Sequence, residues 1–120
     1  FSITVLYVTH DIASARHFSN NIAVMYLGGI VESGASTEVV EHPLHPYTKA
    51  LIDAVPEPNP ANRLIKRPVI AGEPPNSSRH PQGCPFHPRC PQFMPGKCDQ
   101  ARPELREIKP KHFAACFLYE

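Results

Sequence analysis

Four cysteines in a proline-rich stretch constrain this sequence more than any other feature. The chain of 120 residues has four cysteines in all, at positions 84, 90, 98 and 116, separated by five, seven and seventeen residues. Prolines stand at 85, 88, 91 and 95 among them. Proline lacks a backbone N–H and interrupts helices and inner strands, so regular structure cannot run through this stretch. Something other than a large apolar core must order it.

Proline and charge divide the chain into two unlike parts. Residues 1–56 hold three of the fifteen prolines and carry two basic against five acidic side chains, whereas residues 57–120 carry ten basic against six acidic ones. The overall net charge of +1 hides this difference. The run Pro56–Pro60 predicts an extended linker. We therefore predict two domains, residues 1–56 and residues 57–120.

The first residues predict a strand, a loop and a helix. Ile3–Val8 is apolar and rich in β-branched residues, as in a strand buried on both faces of a parallel sheet. Asp11 is a good N-cap for a helix over Ile12–Ser19. His10 then lies beyond the carboxyl end of the strand, where open α/β sheets bind ligands. Its imidazole could donate to a phosphate oxygen or orient a water molecule; the alternative is a loop histidine without a role.

The rest of the chain predicts short elements. We expect a hairpin with a turn at Gly28-Gly29, a short helix capped by Ser36 or Thr37, and a helix over Tyr47–Val55 with Pro46 in its first turn. One helical turn is expected within Arg102–Ile108.

Three kinds of group suit the cysteines, and their spacing does not decide among them. Disulfides are typical of exported proteins, and nothing in the sequence indicates export. Zinc usually binds Cys-x2-Cys pairs, which are absent. An iron–sulfur cluster tolerates irregular spacing and is often flanked by Cys-Pro steps such as Cys84-Pro85 and Cys90-Pro91. His87 and His112 are further candidate ligands, although isolated histidines are more often surface residues.

Several functional classes find no support in the sequence. The longest apolar runs, such as Ile22–Leu27, fall far short of the roughly 20 residues that span a bilayer, and no signal-peptide pattern is present. The basic residues are scattered and lack interleaved aromatics, which indicates a solvated surface rather than a nucleic-acid interface. Gly28-Gly29 lacks the following Lys-Ser/Thr of a phosphate-binding loop.

Five sequence blocks together resemble the C-terminal third of the ATP-binding subunits of oligopeptide/dipeptide ABC importers. They are Leu6-Tyr-Val-Thr-His-Asp11, Ile22-Ala-Val-Met-Tyr-Leu-Gly28, Ile30-Val-Glu32, His45-Pro-Tyr47-Thr-Lys-Ala-Leu51 and Gly83-Cys-Pro-Phe-His-Pro-Arg-Cys90-Pro. Many ABC ATPases share Val-Thr-His-Asp, whereas the His-Pro-Tyr block followed by cysteines is specific to the peptide and nickel importer branch. The resemblance implies an α/β fold: the C-terminal end of an ABC nucleotide-binding domain, then a small irregular, proline-rich, cysteine-containing domain.

The resemblance also implies roles for individual residues. His10 matches the switch histidine, which contacts the γ-phosphate of ATP and helps fix the attacking water. The cysteines match those that bind a [4Fe–4S] cluster in some members, with zinc as the alternative metal; they are Cys84, Cys90, Cys98 and Cys116. ATP and Mg²⁺ are implied for the parent protein only. For His45-Pro46-Tyr47 the residues themselves indicate helix initiation and packing.

The implied function is the C-terminal portion of a subunit that couples ATP hydrolysis to import of oligopeptides or dipeptides. Its partners would be a second ATP-binding subunit and membrane permease subunits, at the cytoplasmic face of the cell membrane, without nucleic acid. The phosphate-binding loop, signature motif and catalytic carboxylate are absent, so we do not expect this chain to hydrolyse ATP alone. Exposed strand edges predict self-association. The rival interpretation is a stand-alone metal-binding interaction or regulatory module without catalysis.

Overall fold

The structure, a computed structural model, describes residues 2–55 and 78–120. Three helices and two strands precede residue 56, and two strands and two short 3-10 turns follow residue 78. In chain order they are α1 (Ile12–Phe18), β1 (Asn21–Tyr26), β2 (Gly29–Ala35), α2 (Ser36–Glu41), α3 (Pro46–Asp53), the turn His87–Arg89, β3 (Arg106–Lys109), β4 (His112–Ala114) and the turn Phe117–Tyr119.

One antiparallel sheet joins the two parts of the chain. Its strand order is β1-β2-β4-β3, so β2 pairs with its sequence neighbour β1 on one side and with β4 on the other. Glu32 lies opposite Ala114 in this second pairing, and the Ala115 N–H donates to the Val31 carbonyl at 2.8 Å. The predicted linker Pro56–Pro60 lies outside the described residues, and the division into two domains stays a prediction.

The predicted hairpin is confirmed, with its turn displaced by one residue. Tyr26 pairs with Gly29, which leaves Leu27 and Gly28 as the two turn residues, both at positive φ (47° and 78°). Two positive φ angles are the requirement of a type I′ turn, the form that matches strand twist. The register shifts between Val24, opposite Glu32, and Met25, opposite Ile30, which leaves Val31 as the extra residue of a β-bulge in β2.

The predicted strand Ile3–Val8 is wrong for the residues that the structure describes. No strand is formed over residues 2–9, and Leu6 and Val8 are 90% and 85% exposed. A strand buried on both faces needs neighbouring strands and a covering layer, and the described sheet offers it no parallel partner. The described sheet is antiparallel throughout rather than parallel.

Two of the three helices in residues 2–55 begin at the residue that the sequence predicts. Asp11 caps α1 by accepting hydrogen bonds from Ala13 N and Ser14 N, as predicted. Pro46 occupies the first turn of α3, as predicted. The predicted cap of α2 is wrong: Ala35 stands at the N-cap without a side-chain bond, and the Ser36 hydroxyl donates to the Ser19 carbonyl instead.

The predicted helical turn within Arg102–Ile108 is wrong as well. Residues 106–109 form β3, which pairs with β4 in an antiparallel ladder, with Glu107 opposite Phe113. Pairing to β4 overrides the weak local preference for helix.

The apolar core draws on both parts of the chain. Its buried members are Ile12, Val24, Tyr26, Val31, Val39 and Phe86. Phe86 comes from the cysteine-containing segment and is 1% exposed. The proline-rich segment therefore gains order by inserting one aromatic side chain into a core built mainly by residues before position 56.

Candidate functional site

All four cysteines line one small cavity. Cys84 and Cys90 flank the turn His87–Arg89, Cys98 follows in the next loop, and Cys116 comes directly after β4. None of them forms a disulfide. Cys98 is buried and the other three are half-buried. The structure thus brings together all four cysteines of the predicted metal site.

Backbone hydrogen bonds fix the loops that carry these cysteines. Cys84 N donates to the Cys98 carbonyl at 2.7 Å, and Cys90 N donates to the His87 carbonyl at 3.3 Å. Gly83 has φ +80°, and a Cβ there would collide with the Cys98 carbonyl oxygen. Only glycine combines this left-handed backbone with such a close approach.

The thiol environment disfavours thiolates as long as no cation is present. Burial raises the pKa of Cys84 and Cys90, and it raises the pKa of Cys116 to about 11. The three other thiols, which line the same cavity, raise the pKa of Cys116 further. A bound metal reverses this balance, because its positive charge stabilises coordinated thiolates.

Thiols are the donor type that zinc and iron–sulfur clusters use. No three His, Cys, Asp or Glu side chains within residues 2–55 and 78–120 are arranged to hold a single metal ion. The cavity measures about 10 Å³, the size of one water molecule, and so has no room for a cluster in the arrangement that the structure shows.

Two histidines line the same cavity with opposite hydrogen-bond roles. His45 Nδ1 accepts from Tyr47 N at 3.0 Å and so caps α3. His87 Nδ1 lies 2.8 Å from the Cys84 carbonyl oxygen, to which it can only donate. Burial, and secondarily the charge of Lys49, lowers the pKa of His45 to about 4, so this ring is neutral near pH 7.

A buried carboxylate organises the loop before α3. Glu32 of β2 has no exposed surface, and it accepts from Leu44 N and His45 N, each at 2.9 Å, and from His112 Nε2 at 2.7 Å. Burying a carboxyl group is tolerated only when hydrogen bonds satisfy its oxygens. No local sequence signal indicates this role for Glu32, since its partner His112 lies 80 residues away.

The His-Pro-Tyr block packs against the cysteine segment. The rings of Tyr47 and Tyr26 lie 4.7 Å apart, and Phe86 lies 5.4 Å from Tyr47 and 5.3 Å from Tyr26. Such ring pairs add about 0.5–1.5 kcal/mol beyond their buried area. The expectation of helix initiation and packing for this block is confirmed.

His10 is far from the cysteines in sequence and lies on the exposed loop before α1. Its neighbour Asp11 is held in place, because Asp11 N donates to Thr9 Oγ1 at 3.0 Å while the Asp11 carboxylate caps the helix. The His10 side chain is exposed. Its role as a switch histidine stays a prediction. None of the helices within the described part of the chain has the length and apolar character to cross a membrane.

Comparison with known proteins assigns this chain to a family of transporter components. The family model described as the oligopeptide/dipeptide transporter, C-terminal region, matches residues 31–98. That range includes Glu32, the His-Pro-Tyr block and three of the four cysteines. The chain belongs to this family.

Relatives in two genera are similar over nearly the whole chain. A putative oligopeptide transport ATP-binding protein of Bacillus subtilis, YkfD, is 43% identical over 118 residues, and the oligopeptide transport ATP-binding protein AppF of the same species is 42% identical over 120. A putative peptide import ATP-binding protein of Brucella ovis is 39% identical over 114 residues. These alignments cover 98%, 99% and 95% of this chain but 36%, 36% and 35% of the relatives. The chain thus spans about a third of their length.

Proposed function

We propose that this chain is part of the ATP-binding subunit of an ABC importer that couples ATP hydrolysis to the import of oligopeptides or dipeptides. The observation that carries this proposal is the similarity of nearly the whole chain to proteins named for ATP binding in peptide transport. In such a subunit ATP and Mg²⁺ are the cofactors, and hydrolysis requires residues that this sequence does not contain.

His10 is the residue of this chain to which we assign a part in hydrolysis. The assignment is supported by the exposed imidazole of His10, on a loop in which Asp11 N donates to Thr9 Oγ1. In the proposed role this ring donates to a phosphate oxygen of ATP and orients the attacking water. Phosphoryl transfer depends on positioning and on stabilising charge, so the loss of one such donor costs about a hundredfold or more in turnover.

A chimaera tests this assignment directly. In AppF, the segment that aligns with this chain would be replaced by this chain. ATP turnover would then be compared between the unaltered chimaera and its His10→Ala variant. We expect a loss of about a hundredfold. His17→Ala, which removes an exposed histidine of α1, serves as the matched control and should change turnover less than twofold. Normal turnover in the His10 variant would contradict the assignment and favour the rival, a metal-binding module without catalysis.

We further propose that Cys84, Cys90, Cys98 and Cys116 hold a [4Fe–4S] cluster. Support comes from four free thiols that line one cavity. When bound, a cluster supplies a cross-link or an electron-transfer centre. The cysteines then tie the loop around His87 to the segment after β4, which stabilises a proline-rich region with little core of its own.

Metal and acid-labile sulfide analysis of protein purified without oxygen tests this site. About four iron and four sulfide per chain are expected, with loss of the cluster on changing any one cysteine to serine. Met94 also lines the cavity, and Met94→Leu serves as a control that should keep the cluster. Zinc in place of iron would establish the alternative metal. A metal-free chain would refute the site and leave the importer proposal standing.

The proposed partners follow from the proposed class. They are a second ATP-binding subunit and membrane permease subunits, with this chain as a peripheral component at the cytoplasmic face of the membrane. Self-association of the isolated chain is also proposed, since Leu6, Val8 and Phe18 expose large apolar side chains. Light scattering across a concentration series would measure it.

A further inference from the structure

A second cavity, here called the hairpin cavity, lies beside the first residues of β2. Its walls come from four stretches of the chain: the start of β2, the Cys84-Pro85 step, the segment around Pro103, and Ala115 after β4. It measures about 170 Å³. A cavity of about 150 Å³ in a protein can hold a molecule as large as benzene. The hairpin cavity therefore has room for a small organic group.

Most of the side chains around the hairpin cavity are apolar. Val31 and Pro103 are buried in its walls, whereas Ile30 and Leu105 are 43% and 41% exposed. Covering exposed apolar surface gains about 25 cal/mol per Å². A ligand with an apolar body would thus be stabilised by contact with Ile30 and Leu105.

Arg102 brings one positive charge to this apolar cavity. Its guanidinium lies so close to the Gly29 backbone that a Cβ on Gly29 would overlap it. Within residues 2–55 and 78–120, no carboxylate forms a salt bridge with Arg102. A guanidinium can bind a carboxylate through two parallel, charge-assisted hydrogen bonds. The charge of the cavity is therefore complementary to a carboxylate.

We propose that the hairpin cavity binds a small carboxylate with a short, branched apolar body, the chemistry that a leucine residue presents at the carboxyl end of a peptide. The body covers Ile30 and Leu105, and the carboxylate accepts hydrogen bonds from Arg102. The volume of the cavity excludes a long acyl chain. This site involves neither ATP nor a metal at the cysteines, so its test is independent of the function proposed above.

Titration of the ¹⁵N-labelled chain with 4-methylpentanoate, followed by NMR of the backbone amides, tests the site. We expect shifts centred on residues 29–31 and Ala115, with a dissociation constant of about 1–10 mM for so small a ligand. The neutral 4-methylpentanamide has nearly the same shape and should bind about tenfold more weakly, since it lacks the charge-assisted bond. Acetate lacks the branched body and should also bind at least about tenfold more weakly. An amide that binds as tightly as the carboxylate, or shifts centred elsewhere, overturns the inference.

Two variants separate the charge of Arg102 from its position. Arg102→Gln should weaken binding of 4-methylpentanoate about tenfold and change that of 4-methylpentanamide less than twofold. Gly29→Ala keeps the arginine but displaces its guanidinium, and should weaken binding of the carboxylate in the same direction. Arg106→Gln, at an arginine that pairs with Glu120 at 3.4 Å and does not line the cavity, is the matched control and should change the affinity less than twofold. Equal losses in the two arginine variants would indicate a general effect of charge and overturn the site.

The compound N-acetyl-leucine distinguishes two sources of the same chemistry. It presents a carboxylate and a branched body behind a peptide amide. Binding at least as tight as that of 4-methylpentanoate identifies the carboxyl end of a peptide as the source, and weaker binding identifies a free short-chain acid. Amides that do not shift with either compound up to about 50 mM, well above the expected dissociation constant, overturn the inference.

Discussion

Glu32 and His112 are joined by a buried hydrogen bond of 2.7 Å across the boundary between β2 and β4. Both side chains are essentially inaccessible to solvent, at 0% and 1% exposure. The same carboxylate holds the backbone of Leu44 and His45, so one residue of the hairpin fixes both the second part of the chain and the loop that leads into α3.

Replacing Glu32 by Gln should destabilise the chain by about 2–3 kcal/mol. Three N–H donors converge on the two carboxylate oxygens, and the amide group of Gln must turn its own N–H₂ towards at least one of them. Urea unfolding followed by circular dichroism measures the change. Glu104→Gln, at a side chain 81% exposed, should lie within about 0.5 kcal/mol of the unaltered chain. Equal effects of the two variants would contradict the central role of Glu32.

Two glycines with the same backbone angle should respond differently to alanine. Gly83 and Gly96 both have φ +80°, and a Cβ meets the Cys98 carbonyl at Gly83 but nothing within 4 Å at Gly96. Gly96→Ala should cost about 1–2 kcal/mol from backbone strain alone. Gly83→Ala should cost about 2 kcal/mol more, since the cysteine loops must part. Urea unfolding of the two variants measures the difference. Equal free energies of unfolding would contradict the importance of the close approach between Gly83 and the Cys98 carbonyl.

Truncation of Phe86 should affect the whole chain rather than its second part alone. Phe86→Ala removes a fully buried ring that contacts Tyr26 and Tyr47, and it should cost about 3–5 kcal/mol. Phe18→Ala, at 79% exposure, should cost less than about 1 kcal/mol. Hydrogen exchange of the β1–β2 hairpin is the decisive measurement, because a hairpin that keeps its protection in Phe86→Ala would show that the two parts are independent.

Stability should fall as the pH is lowered from about 6.5 towards 4. Burial lowers the pKa of His45 from 6.5 to about 4, so the unfolded chain binds more protons than the folded chain in this window. The difference corresponds to about 3 kcal/mol, fully present above pH 6.5 and lost as the ring becomes charged. Unfolding free energies at pH 7, 5.5 and 4 should show a shallower decline in His45→Asn. Parallel declines in the two proteins would assign the effect to other groups.

Features set by neighbouring residues were predictable from the sequence. The cap at Asp11 and the start of α3 at Pro46 depend on residues within one turn of each other, and both are confirmed. The hairpin likewise follows from two apolar runs around Gly28. The family was recognisable because its motifs are short and contiguous.

Features set by distant partners were not predictable in this way. Residues 106–109 form a strand because β4 lies beside them, and Ile3–Val8 does not form one because the described sheet gives it no partner. Glu32 resembled an ordinary hairpin residue until His112 was seen beside it. The cysteines were identified as a set, yet the histidine roles at their cavity depend on hydrogen bonds that no spacing reveals.

Because β2 and β4 are far apart in sequence, β2 is translated well before the strand that pairs with it. At about 5–20 residues per second, roughly 4–16 s separate the translation of Glu32 from that of His112. During that interval the inner edge of β2 has no partner, and an unpaired edge is a template for strands of other chains. The nascent hairpin is therefore exposed to misassembly until His112–Ala114 have been translated and can pair with β2, and a chain that stops at residue 111 would keep that edge open permanently.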